Sequence, residues 1–251
     1  MRVGLIGAGN MASALARGWG DPVFCTDALP GKAEALAAEL GGEALASNAE
    51  LAQRADVVFL CHKPDQLSGV AEGIGDAAEG DTIVSILAGV TLAAIRQAYP
   101  GAKALVRLMP NVAVEIQRGV VCWVAESDAS EELRALLERV ATVVDVPERL
   151  IEVATAIQGV GPAYVSLFVE AQVDAAVRLG MPPALAVELA TATTEGSAAL
   201  LATRDFDTLA LRRAVTSPGG VTARGLAALE EGGLRAAFQS AAEAAVHGGR
   251  R

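Results

Sequence analysis

The chain has 251 residues, 52% of them hydrophobic and 20% charged, with a formal net charge of −10. Such a balance predicts a folded protein of one large or two modest domains. An acidic surface without a Lys/Arg-rich run repels a polyanion and excludes nucleic acid as the expected partner.

The uninterrupted apolar runs fall short of the roughly 18 residues of a membrane span, so no membrane partner is expected. The opening MRVGLIGAGN turns Gly-rich where a signal peptide would stay apolar, which points to the cytoplasm. Cys25, Cys61 and Cys122 lack CxxC spacing, and His62 and His247 lie far apart, so no metal site is expected.

In chain order, the β-branched run VGLI precedes a helical stretch at 11–17, VFCT precedes 32–40, and VVFL precedes a segment from Gln66. TIVSI is followed by a helical stretch at 91–99, and then come ALVRLM, GVVCWV, a helix at 130–141, and VVDV. Strands alternating with helix-length crossovers predict an α/β Rossmann-type, doubly wound parallel sheet over residues 1–147.

From 148 to 251 the pattern is helical, with segments at 150–158, 163–179, 184–202, 208–216, 221–231 and 234–246. Gly161-Pro162, Pro182-Pro183, Pro218-Gly219-Gly220 and Gly232-Gly233 break them. An all-α domain of about 100 residues cannot by itself bury segments as apolar as YVSLFVEA and LAVELATA. A homodimer through these C-terminal helices is the expected solution, and burial against the N-terminal domain is the alternative.

Gly7-Ala-Gly9-Asn10-Met11-Ala12 follows a strand and opens a helix, the context that gives GxGxxG/A its meaning. The first Gly permits the turn, the second admits a pyrophosphate, and the helix start offers free N–H donors to phosphate. Asp27 stands about 20 residues further on, where a carboxylate accepts from ribose hydroxyls and repels a 2′-phosphate, which favours NADH. Its other reading is a turn residue before Pro30-Gly31, and Lys32 nearby softens the preference. Lys63, just past VVFL at the ligand-binding edge of such sheets, suits a cofactor ribose or phosphate, or is a solvated loop charge.

VTSPGGVTARGL breaks a helix with Ser217, Pro218, Gly219 and Gly220 and resumes it at once. Pro is tolerated at a helix start, glycines permit unusual backbone shapes, and successive free N–H groups ahead of a helix form an anion nest. The break is therefore read as a carboxylate site that needs no Arg or Lys. A plain helix–helix turn is the other reading.

GAGNMA, Asn48, HKP, ILAGV at 86–90, RLMPN at 107–111, GVGPAYV at 159–165 and TSPGGVTARGLAALE at 216–230, in that order, resemble the pyrroline-5-carboxylate reductase family over nearly the whole chain. The SPGG-x-T segment is the specific part. The resemblance implies hydride transfer from NAD(P)H to the C=N bond of 1-pyrroline-5-carboxylate, giving L-proline. It implies a Rossmann domain followed by a helical domain that interlocks with a second subunit, with a larger ring of dimers as the further assembly. The active site would lie where the nicotinamide of one subunit faces helical-domain residues that include the partner's.

Position by position, Ser217, Gly219, Gly220, Val221 and Thr222 would bind the carboxylate of the cyclic imino acid, with the Thr222 hydroxyl, the catalytic candidate, on the ring nitrogen. Gly7, Gly9, Asn10, Met11, Asn48 and Lys63 with Pro64 would hold the cofactor alongside Asp27. Ala88, Gly89, Met109, Pro110 and Asn111 would flank the nicotinamide. A protonated cyclic imine accepts hydride readily, so orientation and one hydrogen bond supply most of what the reaction needs.

The family commonly reads SGSGPAY where this chain has Gln158 and Val160 in place of two Ser. It has Thr-Pro after MPN where Val112-Ala113 stand, and an Asp where Arg213 stands. These departures leave a six-membered cyclic imino acid as an alternative substrate, and a noncatalytic dinucleotide-binding paralogue as an alternative of another class. The β-hydroxyacid dehydrogenases share the domain order, but GVGPAYVSLFVEAQ lacks their catalytic Lys and the Asn one turn on.

Overall fold

The computed structural model describes residues 1–126 and 130–247. Its contacts divide the chain into two compact units, Met1–Val160 and Gly161–Arg251.

The first unit is an eight-stranded sheet of order β3-β2-β1-β4-β5-β6-β7-β8. Its strands are β1 (Val3–Ile6), β2 (Phe24–Thr26), β3 (Glu43–Ala44), β4 (Val57–Leu60), β5 (Thr82–Ser85), β6 (Ala104–Pro110), β7 (Gly119–Ala125) and β8 (Ala141–Asp145). β1 and β4 are buried at every residue, as expected of central strands covered on both faces. α1 (Asn10–Trp19), α2 (Lys32–Leu40) and α6 (Glu131–Glu138) pack on one face, where Trp19 meets Phe59 edge-on at 5.4 Å. α3 (Asn48–Arg54), α4 (Leu67–Ile74) and α5 (Leu92–Ala98) pack on the other.

The sheet corrects the wholly parallel expectation at one place, because β6 and β7 pair antiparallel, Met109 opposite Cys122. Residues 111–118 between them hold only a short 3₁₀ turn, Val112–Ile116. Without a crossover helix the chain returns as a neighbouring antiparallel strand. α6 then carries it to β8, which is parallel to β7 again.

The expected domain boundary at 147/148 and the observed division at 160/161 differ by a 3₁₀ turn, Glu148–Leu150, one short helix, α7 (Ile151–Ala154), and a π-helical turn, Thr155–Gly159. Helical periodicity assigned these residues to the second domain. A buried cation binds them to the first: Arg107 of β6, 2% exposed, reaches Glu148 at 3.2 Å and Glu152 at 2.7 Å.

The second unit contains α8 (Gly161–Arg178), α9 (Pro183–Ala202), α10 (Thr208–Ala214), α11 (Val221–Glu231) and α12 (Leu234–His247). Pro183 opens α9 at a position where its missing N–H costs nothing, and the Asp207 carboxylate caps α10 by accepting from the Leu209 and Ala210 N–H groups. Among its described residues only Ala186 and Ala190 are buried. Tyr164, Leu167 and Phe168 of α8 and Leu234 and Phe238 of α12 line an apolar groove of about 280 Å³. The helical run Glu148–Arg178 is long enough to cross a membrane and contains an 18-residue window of mean hydropathy 1.2, a test of length and composition alone that the uninterrupted apolar runs of the sequence do not meet.

Candidate active site

In the first unit β1, β4, β5 and β6 are parallel, so the C-terminal ends of these strands share one edge, and the order reverses between β1 and β4. That switch point is where open α/β sheets receive a ligand. Gly7 sits there with φ +103°, donating its N–H to the Thr26 carbonyl at 2.8 Å. A Cβ on Gly7 would lie 2.8 Å from the Cys61 carbonyl, so the loop closes onto the end of β4 only without a side chain. At Gly9 a Cβ would meet nothing, and α1 starts there with no side-chain cap. Open space beside a helix start with free N–H groups fits a pyrophosphate.

The other cofactor candidates gather around that turn. Asp27 directly follows β2, with Oδ2 accepting from the Ala8 N–H at 2.7 Å and Oδ1 from the Leu29 N–H at 2.8 Å. It therefore holds the glycine loop and its own turn, with carboxylate lone pairs left for further donors. Asn48 begins α3 and accepts from the Thr26 hydroxyl at 2.6 Å. Asn10, Lys63 and Pro64 are exposed, Met11 is partly so, and Lys63 has no ion-pair partner among the described residues.

His62 is turned inward: its Nδ1 meets the Lys63 carbonyl at 2.8 Å and its Nε2 is buried without a partner. Desolvation lowers its pKa, which favours neutral imidazole. Burial pushes the Cys25 thiol to about 11 and raises that of Cys61, so neither is a nucleophile at neutral pH.

Ala88 and Gly89 are exposed in a turn after β5, held by the Ser85 hydroxyl accepting from the Leu87 N–H at 3.2 Å. Met109 and Asn111 differ from them, being 7% and 8% exposed, and Pro110 is buried too. The Asn111 amide is committed locally, Nδ2 donating to the Gln158 carbonyl at 3.1 Å and Oδ1 accepting from the Val120 N–H at 3.2 Å. Residues 109–111 thus offer a fixed surface at this edge.

In the second unit, the Gly220 N–H donates to the Ser217 carbonyl at 3.0 Å across Pro218 and Gly219, and Gly219 has φ +68°. Proline then glycine with positive φ is the composition of a type II turn. The expectation of consecutive free N–H groups changes here, since Gly220 spends its own on the turn. The first-turn N–H groups of α11, at Val221 and Thr222, remain, because the helix begins at Gly220 without a side-chain cap. A Cβ on Gly220 would meet the Ser217 Oγ at 2.3 Å, so the serine hydroxyl is packed against the helix start.

Sequence reasoning missed several supports. Arg224 donates to the Gly219 carbonyl at 2.7 Å and braces the turn. Glu148 accepts both from Arg107 and from the Leu92 N–H at 2.7 Å, joining β6 to the start of α5. An arginine inside the apolar run ALVRLM was a visible signal, since a buried guanidinium requires carboxylate partners. Glu148 and Glu152, four apart, supply them.

Residues 148–251 match the family model described as pyrroline-5-carboxylate reductase dimerisation, and residues 2–89 match one described as NADP oxidoreductase coenzyme F420-dependent. A pyrroline-5-carboxylate reductase of Synechocystis sp. is 37% identical over 79% of this chain and 75% of its own. The structure of a pyrroline-5-carboxylate reductase from Coxiella burnetii superposes with a TM-score of 0.87 at 31% identity, covering 98% of this chain and 96% of that one. The Plasmodium falciparum pyrroline carboxylate reductase with NADP bound superposes at 0.86 with 27% identity, over 98% and 95%.

Proposed function

The chain belongs to the pyrroline-5-carboxylate reductase family, and we propose that its two units divide the reaction, the first holding the dinucleotide and the second the imino acid. The activity is reduction of the C=N bond of 1-pyrroline-5-carboxylate to L-proline, for which a bound NAD(P)H supplies the hydride.

The observation that carries the division of labour is the uncapped start of α11 behind a closed Pro-Gly turn. Ser217, Gly219, Gly220 and the Val221 and Thr222 N–H groups hold the carboxylate there, where helix N-terminal donors favour an anion. The Thr222 hydroxyl, one residue into the helix, accepts from or donates to the ring nitrogen according to its protonation. When the imine is protonated, hydride adds to carbon and the C=N electron pair settles on nitrogen, which keeps its proton. Thr222 stabilises the nitrogen through this change.

In the first unit Gly7, Gly9, Asn10 and Met11 cradle the pyrophosphate, Asn48, Lys63 and Pro64 border the ribose and phosphate, and Asp27 takes the adenine ribose hydroxyls. Ala88, Gly89, Met109, Pro110 and Asn111 wall the nicotinamide side. The Asp27 carboxylate at the glycine loop supports a preference for NADH over NADPH, because a 2′-phosphate there meets a like charge. The assembly is a homodimer through the α8 and α12 groove, and dimers build a larger ring. The working location is the cytoplasm, with neither nucleic acid nor membrane as partner.

Initial rates with NADH and with NADPH, on 1-pyrroline-5-carboxylate beside its six-membered analogue, test this reading. The five-membered imine is expected to turn over faster. Faster reduction of the six-membered ring moves the substrate, and cofactor binding without turnover of either ring overturns the reading. Asp27→Ser is expected to shift the kcat/KM ratio toward NADPH by roughly fivefold, the size of about 1 kcal/mol of charge repulsion. An unmoved ratio leaves Asp27 as the fastener of the loop alone.

A further inference from the structure

We infer that Gln158, which stands where the family commonly has Ser, is a positioning residue for the reduction, holding residues 109–111 in register at the ligand-binding edge of the sheet. The inference rests on the reading of the first unit as the dinucleotide unit.

Gln158 lies in the π-helical turn Thr155–Gly159, where the Val160 N–H reaches five residues back to the Thr155 carbonyl at 3.1 Å. Such widened turns concentrate at functional sites. The Gln158 Nε2 donates to the Met109 carbonyl at 2.8 Å, and the Asn111 Nδ2 donates to the Gln158 carbonyl at 3.1 Å. Each amide side chain thus donates to a main-chain carbonyl of the other segment, Gln158 to Met109 of β6 and Asn111 to Gln158 of the turn. On its other side Asn111 is tied to Val120 of β7, its N–H donating to the Val120 carbonyl at 3.1 Å and its Oδ1 accepting from the Val120 N–H.

The amide of Gln158 has one workable orientation. Flipped, its oxygen would face the Met109 carbonyl oxygen. As it stands, Oε1 is buried without a hydrogen-bond partner, and the amide also faces the Cys122 thiol of β7, which burial keeps protonated. A buried unpaired acceptor costs desolvation energy, and a native structure retains such a group where the surroundings over-determine it. Here the Nε2 bond to the Met109 carbonyl holds the side-chain amide, while Asn111 holds the Gln158 main chain.

The consequence lies at the sheet edge. Residues 109–111 end a strand parallel to β5, β4 and β1, at the edge where ligands dock. Their side chains are buried, so what they present is the placement of a surface, and the Gln158 clamp sets that placement. Hydride transfer is sensitive to placement, because a misfit of about 1 Å in a reacting pair costs up to roughly 100-fold.

The test uses Gln158→Leu, which keeps bulk and removes the donor, and Gln158→Glu, which keeps shape and makes the donor conditional. For Gln158→Leu, kcat is expected to fall about 10- to 100-fold, with dinucleotide affinity, read by NADH fluorescence titration, essentially unchanged. For Gln158→Glu, kcat is expected to be low at neutral pH and to recover relative to wild type as pH falls, since a protonated carboxyl can donate to the Met109 carbonyl. Wild-type kcat in Gln158→Leu, or no relative acid recovery in Gln158→Glu, overturns the inference. A loss of cofactor affinity in step with melting temperature does so too, because it marks a merely structural role.

Hydrogen exchange separates this idea from the functional reading beneath it. Exchange at the Asn111 amide is expected to rise in Gln158→Leu whichever imine the enzyme reduces. Unchanged exchange sinks the clamp, whereas a wild type that reduces neither imine sinks the functional reading.

Discussion

The two units are built from similar apolar residue types and dispose of them differently. In the first, Leu5, Leu15, Phe59, Leu60, Ile83 and Leu105 are fully buried, and helices cover both faces of the sheet. In the second, Leu167 is 65% exposed, Phe168 41% and Phe238 50%, and the buried described residues are two alanines. A buried Leu or Phe contributes about 1.5 to 3 kcal/mol relative to an exposed one. The first unit collects that energy within one chain. The second leaves most of it uncollected among its described residues, which supports the proposed homodimer, as does its match to a dimerisation family. In the proposed homodimer the stability of the helical unit would depend on protein concentration.

Phe238→Asp breaks this comparison most directly. Phe238 packs edge-on against Tyr164, ring centres 6.3 Å apart, and lines the α8 and α12 groove. A carboxylate in a surface that must become dry is expected to cost about 3 to 5 kcal/mol at each copy of the interface. Sedimentation should find a monomer, and circular dichroism should find helix lost while the sheet signal persists. A dimer of unchanged melting temperature would mean that this groove is not the interface.

Arg107→Ala strikes the first unit with a somewhat smaller expected effect. It leaves a void beneath α7 and removes the bonds to Glu148 and Glu152, whose carboxylates stay partly solvated. The expected loss is about 3 kcal/mol in urea denaturation at constant protein concentration. If stability resides where the comparison places it, the dimerisation constant should hardly move. A parallel fall in dimer affinity would mean that the first unit supports association, and the contrast between the units would weaken.

How much of this was legible in the sequence follows the same contrast. VGLI and VVFL coincide with β1 and β4, and the periodic segments from 163 onward coincide with α8 to α12 to within about two residues, because long regular patterns survive tertiary packing. The sequence pattern does not mark β3, two residues long, nor α3, although Ser47 followed by Glu50 is a helix-start signal, with the Ser47 hydroxyl accepting from the Glu50 N–H at 3.1 Å. It predicts a wholly parallel sheet, because the segment 111–118, which lacks a crossover helix, reads as an ordinary loop.

For the candidate site, glycine chemistry was readable: Gly7 and Gly219 adopt the positive φ that their turns require. Partnership was not readable. Gln158 looked like a lost hydroxyl in a substrate pocket, yet its amide faces the Met109 backbone, and Asn111 looked free for a nicotinamide while both its polar groups were engaged. Long-range bonds of 47 and 49 residues in sequence separation leave no periodic trace.

The smallest expected change, Thr222→Ala, sharpens the comparison because it touches no core. Thr222 is half-buried in the first turn of α11, and alanine suits a helix at least as well, so melting temperature and dimerisation should stay put. What is removed is one hydroxyl at a nitrogen whose charge changes in the transition state. The expected loss in kcat/KM is about 1 to 3 kcal/mol, the range for a hydrogen bond to a charged or developing-charge group. Dinucleotide affinity, a property of the first unit, should be unaffected. An unchanged rate removes Thr222 from the chemistry and leaves the second unit with carboxylate binding alone. A fall in rate accompanied by weaker cofactor binding would mean that the two units do not divide the reaction cleanly, since a single hydroxyl in the helical unit would then be felt at the glycine loop of the other.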